Sequence, residues 1–381
     1  MYQTNPLKSE IPAIAPKSER SVGTGCQVHH CKGNYKETMR TPASLFSSFF
    51  AATFAAMLFS TPAHAQSFGG NAFLQPTQPQ RSGQNFHSQQ RGGWEDFAYT
   101  YTTRKGTTQS LQFSLSADDI TRGSAEFQPW NDQIARNNAI LAVQQTARRM
   151  EQPNLKATVI PVADGMDIRV SGYGLSGNSP QVQQLEQTLH TTYTTTIQTF
   201  ASRNLYRATQ TGPHNTSIQP DHPAIAIRYT AAMGPVARAI AEQVPGATES
   251  PRAFINAALN WLQTIPYDTL LDRATSNGAG FQTPYGLIQG NRGDCDTKAT
   301  ALAAIMRAAY PSLPLVMIYV PDHAFLGIGL PKTDADYALN TQYGIYVLAD
   351  ATGPALSPLG YIDPATQSKI RANETTLLPI R

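Results

Sequence analysis

The sequence predicts an α+β protein in which a small α+β domain precedes a second one, where a helix packs on an antiparallel sheet. Three observations carry the prediction. Alternation of apolar and polar residues with period 2 starts at Trp94 and returns in short bursts. Apolar residues at helical spacing fall between those bursts. The last third of the chain runs helix, strand, strand, strand, with turn residues at each junction.

Taken in order, residues 1–65 read as a leader. Met39-Arg40 precedes an apolar, small-residue run over 43–60, and Thr61-Pro62-Ala63-His64-Ala65 supplies an A-x-A cleavage pattern before Gln66. The run carries Ser and Thr residues and is short for a spanning helix, which favours a cleaved secretory signal over an anchor. Met39 is the expected start, with 1–38 an extension ahead of it. The mature protein is expected in the periplasm or outside the cell, with no stable membrane span. Residues 66–93 are rich in Gln, Gly, Ser and Pro and read as a disordered linker.

The small α+β domain is expected over 94–207. Phe97, Tyr99 and Tyr101 share one strand face, as do Leu111, Phe113 and Leu115, with Lys105-Gly106 as the turn between them. Ile140, Val143, Ala147 and Met150 recur at helical spacing. A hairpin follows over 157–162 and 166–170, joined by Asp164-Gly165. A long helix over 180–203 repeats apolar positions at Val182, Leu185, Leu189, Tyr193 and Phe200. Its threonines have modest helix propensity, so packing must hold it. No catalytic constellation is visible in this domain, which leaves it a structural or partner-binding role. Residues 208–223 read as a polar linker.

The second domain is expected over 224–381. A helix spans 234–244, and Ser250-Pro251 opens a cleaner one. Phe254, Ala257, Ala258, Trp261, Leu262 and Ile265 form its apolar face, and Pro266-Tyr267 ends it. Gly293-Asp294-Cys295-Asp296 opens a further helix, in which Ala299, Leu302, Ala303 and Met306 recur. Strands follow over 315–320, 323–330 and 343–349.

This arrangement places Cys295 in the first turn of a helix, where unpaired N–H groups and the positive dipole end favour a thiolate. His323 opens the second strand and Asp350 closes the third. The spacings are even, 323 − 295 = 28 and 350 − 323 = 27, so one element plus turns fits each gap. A thiol, an imidazole and a carboxylate at such positions are the parts of a nucleophilic cysteine site. Each has a bland reading alone: a core thiol, a structural histidine, a turn aspartate. Asp294 and Asp296 would raise the thiol pKa if aimed at it, but a capping role turns Asp294 to the backbone. Asp322 is the rival acid, and as the neighbour of His323 on a strand it points to the opposite face.

The chain has three cysteines, Cys26, Cys31 and Cys295. Cleavage after Ala65 removes the first two and leaves Cys295 as a solitary thiol in an oxidising compartment, which excludes an internal disulfide framework. Cys26-Gln27-Val28-His29-His30-Cys31 matches no common zinc spacing, and the remaining histidines form no metal pair. No cofactor or metal is expected. At 381 residues with 41% hydrophobic and 14% charged content, the chain can fill packed cores yet carries few charges, as envelope and secreted proteins do. A net charge of +3, with no basic run interleaved with aromatics, excludes nucleic acid as a partner. Gly172-Tyr173-Gly174 lacks the third glycine of a phosphate-cradling loop.

Residues from about 231 to 353 resemble the transglutaminase-like superfamily, which has a papain-like core. The motifs are Ile265-Pro266-Tyr267 after an amphipathic helix, Arg292-Gly293-Asp294-Cys295 with Lys298 and Ala299, Asp322-His323-Ala324-Phe325, and Leu348-Ala349-Asp350-Ala351-Thr352. The resemblance implies a Cys-His-Asp triad of Cys295, His323 and Asp350. In papain-like enzymes a glutamine ahead of the nucleophile helps form the oxyanion hole. Gln289 stands at a similar offset, and the Cys295 backbone N–H is the safer donor. The chain departs from papain-type proteases in having no second cysteine just before Cys295 and no aromatic residue just after it. The expected activity is cleavage or transfer of peptide or isopeptide amide bonds through a thioester, with hydrolysis favoured. The expected partner is a protein or peptide substrate, with the cell envelope as its source. The alternative is a catalytically inactive binding module of the envelope.

Overall fold

The computed structural model describes residues 26–28 and 85–381, apart from 163–164, 213–214, 247–249, 273–275, 277 and 279. The expected signal, the Met39 start, Cys31 and the linker up to residue 84 lie outside the described residues. The protein is mixed α+β with predominantly antiparallel sheets. Two compact units form: residues 85–127 with 222–381, and residues 26–28 with 128–221. No helix among the described residues is long and apolar enough to cross a membrane.

In chain order, β1 (Cys26–Val28) belongs to the smaller unit, and the larger unit opens with a meander. Its strands are β2 (Asn85–Arg91), β3 (Trp94–Thr102) and β4 (Thr108–Ser116). The alternation acts as expected: Phe97, Tyr99, Tyr101, Leu111, Phe113 and Leu115 are buried, and the register pairs Phe97 with Phe113 and Tyr99 with Leu111. β2 corrects the linker reading for residues 85–91. Phe86 lays its ring 6.5 Å from Phe97 and 5.0 Å from Tyr99, and the remaining residues of this edge strand are polar, so composition alone suggested a tether. α1 (Ala117–Glu126) follows, capped by Ser116, whose hydroxyl accepts from the Asp119 N–H.

The smaller unit contains α2 (Asp132–Arg149), β5 (Leu155–Val162), β6 (Gly165–Gly172), α3 (Pro180–Arg203), β7 (Tyr206–Gly212) and β8 (Asn215–Pro220). The β5–β6 hairpin and both helices close around Ile140, Val143, Leu155, Met166, Leu185 and Leu189. In α3 the hydroxyls of Thr188, Thr192 and Thr196 each donate to the carbonyl four residues back, so these three satisfy themselves along the helix. β7 and β8 pair antiparallel where a polar linker was expected. Their Thr, Gln and Ser residues carry no apolar alternation, and β1 pairs with β8 in parallel.

The larger unit resumes with α4 (His222–Arg228), α5 (Gly234–Glu242), α6 (Pro251–Leu262), α7 (Pro284–Gly290) and α8 (Cys295–Ala309). β9 (Leu315–Val320), β10 (His323–Ile328), β11 (Ala338–Thr341), β12 (Gly344–Ala349), α9 (Pro364–Arg371) and β13 (Thr376–Ile380) complete it. The sheet is antiparallel in the order β11-β12-β10-β9-β13. α8 packs on β10 and is buried from residue 295 to 306; Ala299, Ala301, Ala303 and Ala304 keep it slim enough to be enclosed.

The units divide the chain differently from the expected boundary at 94–207. The meander belongs with residues 222–381 because its aromatic face is completed by Trp261 of α6. The indole is fully buried, edge-on to Tyr99 at 5.2 Å and to Phe113 at 6.0 Å. The Tyr99 hydroxyl also donates to the Ile288 carbonyl at 3.1 Å.

Candidate active site

The site forms at the N-terminus of α8. Asp294 is the N-cap, extended at φ −92° and ψ −168°, and its Oδ1 accepts from the Thr297 N–H at 3.1 Å. Gly293 is required by close approach: a Cβ there would lie 2.7 Å from the Leu287 side chain and 2.9 Å from that of Thr297. The corner after α6 is sewn to this turn. Tyr267 bridges Gly293 in parallel, the Gly293 N–H donates to the Pro266 carbonyl at 3.1 Å, and the Asp268 N–H donates to the Gly293 carbonyl at 3.2 Å.

Both flanking carboxylates are drawn into local bonds. Besides the capping Asp294, Asp296 is buried, with Oδ1 accepting from the Thr297 N–H at 3.1 Å and Oδ2 3.4 Å from His222 Nε2. His222 is also buried, and its Nδ1 lies 2.7 Å from the Tyr319 hydroxyl. Sequence reading missed this histidine, because α4 is short and 296 − 222 = 74 residues separate it from its acid.

The β9–β10 hairpin turns at Asp322, which sits at φ 65°, and His323 pairs with Val320 as the first residue of β10. β12 runs antiparallel beside β10, with Leu326 opposite Ala349, so the chain leaves β12 at Asp350 next to the start of β10. His323 Nε2 lies 2.8 Å from Asp350 Oδ2. The other oxygen of Asp350, Oδ1, accepts from the Thr352 N–H at 2.9 Å. A side-chain hydrogen bond joins His323 to Cys295. With Nε2 taken by the carboxylate, Nδ1 is the ring nitrogen left for the sulfur.

The electrostatics follow from these contacts. Burial pushes the His323 pKa down, but hydrogen bonds to Asp350 and Cys295 and the charges of both outweigh it and carry the pKa up to about 10. Burial pushes Asp350 up, and the His323 imidazole with the Thr352 bonds holds it below the usual carboxylate range instead. The imidazole therefore stays protonated through neutral pH, facing a sulfur at a helix N-terminus.

Cys295 is a free thiol with 2% of its surface exposed, while the His323 and Asp350 side chains are 17% and 19% exposed. The structure thus brings together Cys295, His323 and Asp350. Gln289 is exposed in the last turn of α7, separated from Cys295 by a left-handed turn at Asn291 (φ 45°), and no hydrogen bond ties its side chain to the cluster among the described residues. Two further side chains support the cluster from within. Lys298 and Gln263 are 0% and 1% exposed, and both bond the loop after β12. The signal for Lys298 was available as a cation at the head of the largely apolar run from Ala299 to Met306. Among the described residues no group of three His, Cys, Asp or Glu side chains is placed to hold a metal ion.

No protein-family model, no curated protein and no solved structure matches this chain.

Proposed function

We propose that this protein is a secreted or periplasmic thiol enzyme of the transglutaminase-like kind, with a papain-like core, acting on amide bonds of a protein or peptide from the cell envelope. The observation that carries the reading is the His323 bridge: 2.8 Å to Asp350 on one side and a hydrogen bond to Cys295 on the other, at the start of a buried helix. A nucleophile helix against an antiparallel sheet, with Cys, His and Asp in that chain order, supports the fold assignment.

The Cys295 thiolate attacks the amide carbonyl carbon, forming a C–S bond and placing the π electron pair on oxygen. The Cys295 backbone N–H, in the first turn of α8, donates to that oxyanion. His323 gives its proton to the amine as the C–N bond breaks, leaving a thioester. Water then attacks the thioester, His323 takes the proton, and the acid departs with the thiolate restored. Asp350 holds the ring in one orientation and stabilises its charged form throughout. An amine in place of water gives transamidation by the same steps. We favour hydrolysis.

One observation favours a second reading. Cys295 at 2% exposure suits a fold kept for binding, in which the thiol is only core. The enzyme reading has the substrate carbonyl enter over the His323 ring, the less buried member of the pair. The test is turnover of glutamine-containing and isopeptide-linked model peptides, followed by mass spectrometry with and without a primary amine. Hydrolysis that disappears in Cys295→Ala supports the enzyme. Turnover undiminished in Cys295→Ala overturns the thiol-enzyme reading, and none from the parent under any condition supports the binding module.

A further inference from the structure

We propose that Lys298 is a positioning residue that fixes the Asp350 loop against the nucleophile helix and lends its charge to the thiolate. The inference rests on the thiol-enzyme reading above.

Lysine is almost never fully buried, because its ammonium gives up hydration that an apolar side chain of the same length does not need. Lys298 is fully buried, one helical turn after Cys295. Its Nζ donates to the Ile265 carbonyl and to the Thr352 carbonyl, each at 2.6 Å. These acceptors lie on separate segments. Ile265 begins the corner that pairs with Gly293, just ahead of Cys295. Thr352 is the residue whose N–H holds Asp350 Oδ1. Thr352 is thus gripped at both ends: its N–H by the acid, its carbonyl by the lysine. One ammonium joins the helix that carries the nucleophile, the corner before it and the loop that carries the acid.

A neutral donor could make the same ties, and the structure contains one for comparison. Gln263 Nε2 donates to the Asp350 carbonyl at 2.6 Å and to the Ser357 carbonyl at 3.0 Å, and its Oε1 accepts from the Ser357 N–H at 3.0 Å. Gln263 braces the loop through geometry alone. Lys298 adds a charge, and the anionic groups facing it are Asp294 and Cys295 on its own helix and Asp350 on the loop. Burial drives the Lys298 pKa down to about 7, against the attraction of Asp350, Asp294 and Cys295. Its charge is therefore poised to respond to whether the thiol is ionised.

The experiment compares the pH profile of Cys295 alkylation by iodoacetamide in the full chain and in Lys298→Met and Gln263→Met, all checked for folding by circular dichroism. In Lys298→Met the acidic limb of the profile moves up by about one pH unit, because the thiolate loses a nearby cation. In Gln263→Met turnover falls while the limb stays in place. A Lys298→Met limb coincident with the parent's overturns the proposal. An unreactive parent thiol sinks the enzyme reading instead, a separate and visible outcome. A second readout needs no change at Lys298: carbon-13 lysine spectra of the parent and of Asp350→Asn. One lysine titrates well below the rest, and its midpoint moves lower when Asp350 is neutralised. A full set of ordinary lysine midpoints, or an unmoved one, also overturns the proposal.

Discussion

One methyl group at Gly353 probes how tightly the acid loop is held. Gly353 sits at φ +67°, and a Cβ built there lies 2.1 Å from the Gln263 carbonyl oxygen, 2.8 Å from its carbon and 2.9 Å from its Cα. All three are backbone atoms, so no rotamer change relieves the overlap. Reaching even a tight 3.0 Å contact requires a shift of 3.0 − 2.1 = 0.9 Å. The left-handed conformation costs alanine about 1 kcal/mol, and overpacking adds about 1–3 kcal/mol. Gly353→Ala should therefore lower stability by about 2–4 kcal/mol. The displaced partner is Gln263, whose Nε2 holds the Asp350 carbonyl, so the shift reaches the acid. A misplacement of about 1 Å at a catalytic group costs about a hundredfold in rate. The control is Gly106→Ala, at φ +77° with nothing within 4 Å of its Cβ, which should lose about 1 kcal/mol and keep full activity. Urea unfolding and peptide turnover, measured far below the transition, read both effects. If the two variants behave alike in stability and turnover, the tight seating of the loop is wrong.

The remaining predictions concern charge and packing. Opposite charges about 4 Å apart attract by about 4 kcal/mol at an effective dielectric of 20, so Asp350→Asn should cut Cys295 alkylation at pH 6 by about tenfold or more. His323 has its pKa raised from 6.5 to about 10 on folding, so its contribution to stability is fully present below 6.5 and fades as pH rises through 10. Urea unfolding of the parent should therefore show a loss of stability between those limits, and Asp350→Asn should flatten it. Trp261→Ala should lower stability by about 3–5 kcal/mol, since the fully buried indole closes the aromatic face of the meander; equilibrium unfolding checks this.

What could be read from the sequence follows the strength of local signals. The Cys295 helix, the β9–β10–β12 strands and the β5–β6 hairpin had clear periodicity or turn residues, and they form close to where they were expected. The convergence of Cys295, His323 and Asp350 was legible because all three stand at element ends that one antiparallel sheet brings together. β2, β7 and β8 were hidden, since Gln, Ser and Thr fill them and leave no apolar alternation to read. α7 is short, starts at Pro284 and holds Gly286 and Gly290, so it resembles a loop. β13 contains Pro379 and sits at the sheet edge, where proline is tolerated. The association of the meander with Trp261 is a contact between residues more than a hundred positions apart, and no local pattern encodes it.

The central claim is that the Cys295 sulfur, activated by His323, forms a thioester. Intact-mass analysis after mixing the protein with an activated acetyl ester tests it most directly. The account predicts a single acetyl group on Cys295, released by hydroxylamine and slow to appear in His323→Ala. An unmodified Cys295, or equal acylation with and without the imidazole, contradicts it.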